Sequence, residues 1–195
     1  MSKNDKQKWD EKYIKKSQLL NQREASANIQ KYIKECSGNK ALDLACGAGK
    51  NTLYLAKQGF IVDAIDIAEI ALDTLNKYAK DNLTQDLINT TLMDLDDFTP
   101  ISDTYNLIIM TNFLDRVIIE KAKKSLKKDG IFIVETYMKD EKNEKINSDE
   151  KNLLYKEELK DIFLPKFEII FYNEFENEEN EIYRMKKQVI VAKKI

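Results

Sequence analysis

Two glycines and an aspartate in the first half of the chain have the spacing of a site for a nucleoside-like ligand. Gly47 and Gly49 follow the apolar run ALDLA and precede a helix-like segment that starts at Lys50. Glycines in such a turn let a ligand approach the backbone, and the N–H groups that open the helix face it. Asp66 ends the next apolar run, IVDAID, where a carboxylate suits the two hydroxyls of a ribose.

The same turn disfavours two common nucleotide sites. A dinucleotide loop has a third glycine three residues after the second, and that position is occupied here by Thr52. A P-loop needs Ser or Thr directly after its lysine, whereas Lys50 is followed by Asn51. The turn therefore does not predict NAD, FAD or a P-loop nucleotide.

Two further aspartates belong to the predicted strands or follow them. Asp43 lies inside ALDLA, where a buried carboxylate needs a partner. It either fastens the glycine loop by accepting backbone N–H bonds or also acts on a ligand ammonium, directly or through water. Asp94 follows the third strand and could accept from an amine such as adenine N6, or cap a helix. Ile67 and Leu95 could hold a flat ring between them, or belong to the core.

The residue types also limit the catalytic chemistry. The chain has no histidine, which excludes Ser-His and Cys-His nucleophiles and histidine metal sites, and we predict no metal. Any general base must be a carboxylate, Tyr, Lys or water. Cys46 lies within the glycine loop, where a small residue fits the turn and no activating base accompanies it.

The elements that would position these residues alternate between strand and helix. Strands are predicted at 41–45, 61–66, 89–93, 105–113 and 131–137, and helices between them at 50–58, 70–80 and 117–128, the last ending with a left-handed Gly130. Strand-helix repetition predicts a doubly wound, Rossmann-like α/β domain. Helices are also expected up to about residue 20, at 23–35 and at 153–163. FEIIFY and QVIVA predict a C-terminal antiparallel hairpin.

Composition narrows the class of partner and the compartment. The 195 residues carry 32 basic and 34 acidic side chains, so there is no strong signal for nucleic acid. The N-terminus has no apolar leader and no apolar run is long enough to span a bilayer, so no membrane partner is expected. Two cysteines, Cys36 and Cys46, suit a reduced, cytoplasmic setting. The polar stretch 139–151 and the acidic stretch 174–181 are expected to be loops.

The stretch ALDLACGAG resembles the first motif of the class I S-adenosylmethionine-dependent methyltransferases, with Ala45 in place of the motif's first glycine. The resemblance implies S-adenosylmethionine as the cofactor. It also implies a mostly parallel seven-stranded sheet with an antiparallel C-terminal hairpin strand and N-terminal helices. We expect one methyltransferase domain over 1–195, with a helical cap at 1–37 and an α/β core at 38–195.

The resemblance assigns cofactor roles to individual positions. The methionine end would be held by Asp43, Gly47 and Gly49, and the ribose by Asp66. Asp94 would bind the adenine amine, and the backbone at Thr111 would meet the cofactor amine. The full predicted set is Asp43, Ala45, Cys46, Gly47, Gly49, Asp66, Ile67, Asp94, Leu95 and Thr111.

Four shorter stretches are similar to a subgroup described as tellurite-resistance or thiopurine-methyltransferase-like. They are WDEKY at 9–13, NFLDR at 112–116, VETY at 134–137 and NLLYKEEL at 152–159. Asp115 stands where such proteins often have histidine, so a histidine-dependent step does not transfer. The resemblance implies methyl transfer by in-line displacement to a small molecule. A macromolecular acceptor, RNA or protein, and a binding protein without catalysis are the alternatives.

The acceptor side is less explicit in the sequence. Trp9 and Tyr13 share a helix face and form either a hydrophobic staple or an aromatic lid. Cations would suit an anionic acceptor, and residues at the carboxyl end of strand five could contact it. The acceptor-side candidates are Trp9, Tyr13, Arg116, Glu135, Tyr137 and Arg184. We expect a monomer or a homodimer.

Overall fold

A seven-stranded sheet in the order β3-β2-β1-β4-β5-β7-β6 organises the computed structural model, which describes residues 3–145, 149–177 and 183–195. β1 to β5 are parallel, and β7 is antiparallel to both β5 and β6. The predicted doubly wound, mostly parallel fold with a C-terminal hairpin is thereby confirmed. The strands are β1 Lys40–Leu44, β2 Ile61–Asp66, β3 Ile88–Leu92, β4 Tyr105–Thr111, β5 Leu126–Tyr137, β6 Phe167–Glu176 and β7 Lys186–Lys194.

Helices cover both faces of the sheet, which is why the central strands are apolar along their length. Ile29 of α2 and Leu55 of α3 are fully buried against one face. Ile119 of α5 and Phe163 of α6 are fully buried against the other, where Phe163 meets Phe132 edge to face at 5.3 Å. The helices are α1 Lys3–Lys15, α2 Ala27–Tyr32, α3 Lys50–Lys57, α4 Glu69–Asp81, α5 Arg116–Ser125 and α6 Glu158–Phe163.

The N-terminal helices are shorter than predicted. α1 ends at Lys15 and a 3-10 turn, Ser17–Leu20, follows it. α2 begins at Ala27, four residues after the predicted start, because Ser26 has a non-helical backbone with a ψ of 130°. The N–H of Ser26 donates to Asn51 Oδ1 at 3.0 Å and its hydroxyl donates to Glu135. These tertiary bonds hold Ser26 outside the helix.

The predicted boundary between the fifth helix and the fifth strand is wrong. α5 ends at Ser125, and β5 begins at once with Leu126, which is fully buried and pairs with Tyr105. Asp129, at a φ of 62°, takes the left-handed conformation that we predicted for Gly130. A Cβ at Gly130 would lie 2.8 Å from Leu126 Cγ, so a close contact explains this glycine.

The C-terminal segments also differ from the prediction in extent. α6 starts at Glu158 rather than at 153, because Leu154 forms a bridge with Met138 beyond the end of β5. Of the predicted loops, 146–148 and 178–181 lie outside the described residues, whereas 174–176 belong to β6. Among the described residues, no helix is long and apolar enough to cross a membrane.

Candidate functional site

The candidate site lies at the sheet edge where the carboxyl ends of β1, β2 and β4 meet. β1 pairs with β2 on one side and β4 on the other, so chain connections leave this point in opposite directions and open a crevice. The turn after β1 has three left-handed residues: Ala45, Gly47 and Gly49, with φ of 57°, 55° and 78°. A Cβ at Gly49 would lie 2.2 Å from Leu75 in α4, so the turn packs tightly on that helix.

Asp66, at the end of β2, holds the glycine turn. Its Oδ2 accepts from the N–H of Gly47 at 2.7 Å, and its Oδ1 accepts from the N–H of Ala68 at 2.9 Å. Burial raises the pKa of Asp66, although the backbone hydrogen bonds oppose that shift. Each carboxylate oxygen keeps a second lone pair, so the group can still accept from a ligand hydroxyl.

Asp43 is buried deeper behind the turn. Its Oδ2 accepts from the hydroxyl of Thr52 at 2.6 Å, while its buried Oδ1 has no hydrogen-bond partner among the described residues. Desolvation raises the pKa of Asp43 to about 7, and the charge of Asp66 adds to the effect. One interpretation of Asp43 was that it accepts backbone N–H bonds from the glycine loop. The N–H of Gly47 donates to Asp66 instead. The free oxygen is suited to a ligand ammonium or a bound water.

Tyr13 of α1 covers the outer side of the same turn. A Cβ at Gly47 would lie 2.9 Å from its hydroxyl oxygen, and burial, together with the charge of Asp66, raises the pKa of Tyr13. α1 is held on α4 by Lys6 Nζ, 2.7 Å from Glu69, and by Asp10, which accepts from the N–H of Ile70 at 3.4 Å. The structure thus places one of the two aromatics, interpreted as either a staple or a lid, directly beside the turn.

Trp9, the second of these two aromatics, lies next to Tyr13, with its ring centroid 6.2 Å away. Cys46 is a half-buried residue of the turn itself. Burial and the charges of Asp43 and Asp66 raise the pKa of its thiol well above the ordinary value. A thiol in that state is a poor nucleophile, which supports the interpretation of Cys46 as a small residue that fits the turn.

A chain of hydrogen bonds joins β4 to β5 through α3 and the residue before α2. Asn51 donates to Thr111 Oγ1 at 2.9 Å and accepts from the N–H of Ser26. The hydroxyl of Ser26 donates to Glu135 Oε2 at 2.6 Å, and Asn28 donates to the same oxygen at 2.9 Å. Glu135 therefore orients the segment that precedes α2.

Lys187 completes this network on β7. It is 3% exposed, and its Nζ lies 3.9 Å from Glu135 Oε1 and 4.9 Å from the ring centroid of Tyr137. Ser26, Glu135 and Lys187 line a cavity of about 50 Å³. Sequence reasoning singled out Glu135 and Tyr137 but missed Ser26, Asn51 and Lys187, which carry no motif and lie far apart along the chain.

The predicted adenine-binding residues follow β3 and β2. Asp94 Oδ1 accepts from the N–H of Asp96 at 3.0 Å and caps the short helix Leu95–Asp97, which was the alternative role for this residue. Leu95 is 4% exposed and belongs to the core, while Ile67 is half-buried beside Asp66. Asp94 and Ile67 remain predictions as adenine contacts.

The two arginines proposed for the acceptor each have a carboxylate neighbour, and their role at the acceptor stays a prediction. Arg116 forms a fork with Glu158, at 2.5 and 3.0 Å, and donates to the carbonyls of Lys151 and Leu153. These contacts join α5 to the first residue of α6 and to the segment before it. Arg184 is exposed, and its Nε lies 3.8 Å from Glu176 at a shallow cavity of about 100 Å³.

Within the described residues, no cluster of three or more His, Cys, Asp or Glu could hold a metal ion.

Comparison with known proteins identifies related sequences. A family model described as tellurite resistance protein TehB matches residues 6–188. A probable S-adenosyl-L-methionine-dependent methyltransferase TehB of Haemophilus influenzae is 36% identical over 101 residues, which are 50% of this chain and 33% of that protein. A ribosomal protein L11 methyltransferase of Ruminiclostridium cellulolyticum is 33% identical over 132 residues, 64% of this chain and 40% of that protein.

Solved structures share the fold. The crystal structure of TehB from Haemophilus influenzae superposes with a TM-score of 0.74 at 25% identity, over 88% of this chain and 63% of that one. A putative S-adenosylmethionine-dependent methyltransferase from Listeria monocytogenes gives 0.67 at 20% identity, over 86% of this chain and 96% of that one. The chain spans less than half the length of the curated relatives named above.

Proposed function

Because the chain belongs to the TehB family of S-adenosylmethionine-dependent methyltransferases, we propose that it transfers a methyl group from that cofactor to a small-molecule acceptor. One observation carries the proposal. Asp43 has a buried carboxylate oxygen without a hydrogen-bond partner among the described residues, behind a turn whose Gly47 is held by Asp66. A cationic ligand with two adjacent hydroxyls matches this arrangement.

The residues present fit S-adenosylmethionine. Asp43 would accept from its ammonium group, and Asp66 would accept from the ribose hydroxyls through its remaining lone pairs. The left-handed Gly47 and Gly49 let the cofactor approach the backbone of the turn. When bound, the cofactor supplies a methyl group on a sulfonium, which reacts by in-line displacement.

The chain's own contribution is to position the acceptor and exclude water. α1 lies across the edge with Tyr13 at Gly47, and the Ser26–Glu135 hydrogen bond orders the adjacent wall. No strong base is needed for an acceptor that is already nucleophilic, so the absence of histidine is compatible with this chemistry. We propose that 1–37 act as a helical cap on an α/β core at 38–195.

Tellurite is the first acceptor to test, because the matching family is described by tellurite resistance. Selenite and thiols share its character as small, strong nucleophiles. A protein acceptor is the second candidate, favoured by the similarity to a ribosomal protein L11 methyltransferase. One assay that offers both small molecules and a protein as acceptors distinguishes the two candidates.

The experiment is transfer of labelled methyl from S-adenosylmethionine to tellurite, selenite, thiols, thiopurines, bulk RNA and ribosomal protein. Asp66→Asn tests dependence on the site. Asp63→Asn, on the same strand but bonded to Lys40 and Tyr105, is the matched control. We expect transfer to a small acceptor that Asp66→Asn abolishes and Asp63→Asn preserves. Cofactor binding without transfer to any of these acceptors would contradict the proposal.

A further inference from the structure

Lys12 lies on the helix that covers the candidate site. It is half-buried, and its Nζ lies 3.7 Å from the centroid of the Trp9 ring, one turn earlier on α1. The centroid of the Trp9 ring lies 6.2 Å from that of Tyr13, whose hydroxyl reaches the glycine turn. The ammonium of Lys12 is therefore held by an aromatic face beside the edge where the methyl donor is proposed to bind.

Within the part of the chain that the structure describes, the charges that act on Lys12 are of its own sign. Lys8 lies one turn earlier on α1, Lys16 directly follows that helix, Lys145 approaches from the segment that follows β5, and all three lower the pKa of Lys12. Burial is the largest cause, and together these effects bring the pKa of Lys12 to about 8. Among the described residues, no carboxylate lies within ion-pair distance of Lys12. A carboxylate is nearer to Lys8, whose charge helps to lower the pKa of Asp149.

A half-buried cation that faces like charges is unfavourable unless an anion joins it. An anion at Lys12 would relieve the repulsion and would gain from the partial exclusion of water. The arginines proposed from the sequence are less available, since Arg116 is in a fork with Glu158 and Arg184 lies near Glu176.

We propose that Lys12 determines acceptor specificity: its ammonium, held against Trp9, binds the negative charge of a small anionic acceptor, and Lys8 and Lys16 attract that acceptor. This inference rests on the proposed function, because it names the acceptor side of the same site. It assigns charge recognition to α1, so the helix that covers the donor edge also selects the acceptor. No bond to Lys12 forms or breaks.

The chain has one tryptophan, Trp9, so its fluorescence reports directly on this contact. Tellurite is titrated into the protein saturated with S-adenosylhomocysteine, and we expect a saturable change in fluorescence. Lys12→Met should weaken tellurite binding at least about tenfold, roughly 1.4 kcal/mol. Lys15→Met is the matched control, because Lys15 is exposed on the same helix and paired with Glu11, and it should change the affinity less than about twofold.

The pH dependence provides a readout that a structural role would not produce. Lys12 is charged below its pKa of about 8, so tellurite affinity should fall as the pH rises above that value. Lys12→Arg stays charged and should keep its affinity at about pH 9. Tellurite ionises identically with both proteins, so the difference between them isolates Lys12.

The outcomes separate this inference from the proposed function. Calorimetry with S-adenosylhomocysteine should give the same affinity for Lys12→Met as for the parent protein. Failure of the parent to bind S-adenosylhomocysteine would overturn the proposed function. Equal tellurite affinities for the parent and Lys12→Met would overturn the role of Lys12 alone. So would the absence of saturable binding of tellurite, selenite and mercaptoacetate to the parent.

Discussion

Asp66 Oδ2 accepts a hydrogen bond from the backbone N–H of Gly47 at 2.7 Å, which ties the end of β2 to the turn that follows β1. This hydrogen bond therefore joins the two segments that are proposed to hold different parts of one ligand. Asp66 shapes the turn before any ligand arrives, and its free lone pairs face the same crevice. A change at Asp66 should alter both the turn and the ligand contact, so its tests need a matched control.

The raised pKa of Asp43 predicts a pH-dependent cost to folding. The folded protein keeps a proton on Asp43 up to about pH 7, whereas the unfolded chain loses it near 3.8. The contribution of Asp43 to the free energy of unfolding is therefore greatest below about pH 4, and it is lost as the pH rises to about 7. Asp43→Asn removes this loss. Relative to the parent, the free energy of unfolding of the variant should be about 2–4 kcal/mol greater at pH 8 than at pH 4, as measured by urea unfolding.

Asp43→Asn should also weaken S-adenosylhomocysteine binding about tenfold or more at pH 8, since the variant has no negative charge for the ligand ammonium. Calorimetry measures this directly. A difference in stability between the two proteins that does not change with pH would contradict the assignment of a buried, titrating Asp43.

Ala45→Gly should stabilise the protein by about 1 kcal/mol. Ala45 has a φ of 57°, a conformation that costs an L-residue about 1–2 kcal/mol and that glycine adopts freely. Ala68→Gly is the control, because Ala68 is buried at the same edge but has a φ of −92°, which suits an L-residue. This variant should be less stable than the parent protein. Thermal unfolding measures both variants. A loss of stability in Ala45→Gly would show that the Cβ of Ala45 contributes packing that outweighs the strain.

Arg116→Met should lower stability by about 1–3 kcal/mol and leave acceptor KM unchanged. The fork to Glu158 and the bonds to two carbonyls hold α5 against the start of α6 and the segment before it, and Glu158 would lose its charged partner. Arg184→Met, at an exposed site, should cost less than about 0.5 kcal/mol. Urea unfolding and steady-state kinetics measure the two effects. A raised KM with unchanged stability would return Arg116 to the acceptor site.

Most of the fold could be predicted because the parallel strands are apolar along their length and glycine or polar residues mark their ends. β2 lies at Ile61–Asp66, where the pattern predicted it. The α5–β5 boundary was missed because Leu126, helical by local pattern, pairs with Tyr105 and is buried. Tertiary pairing of this kind outweighs local propensity and leaves no signal in the neighbouring residues.

The donor side of the site was predictable for a different reason. Gly47, Gly49 and Asp66 follow or end successive strands, so the topology alone brings them to one edge. The network of Ser26, Asn51 and Lys187 joins three distant segments, and no spacing along the chain reveals it. The partner of Asp43 was missed too, since Thr52 was considered only as a missing glycine.

Binding of S-adenosylhomocysteine to the parent protein, Asp66→Asn and Asp63→Asn, measured by calorimetry and thermal shift, tests the central claim most directly. The parent should bind and gain several degrees of thermal stability, while NAD and ATP give no shift. Asp66→Asn should lose at least about tenfold in affinity, roughly 1.4 kcal/mol. Asp63 lies on the same strand as Asp66 but pairs with Lys40 of β1, so Asp63→Asn should bind as the parent does. No shift in the parent, or equal affinity in Asp66→Asn, would contradict the account.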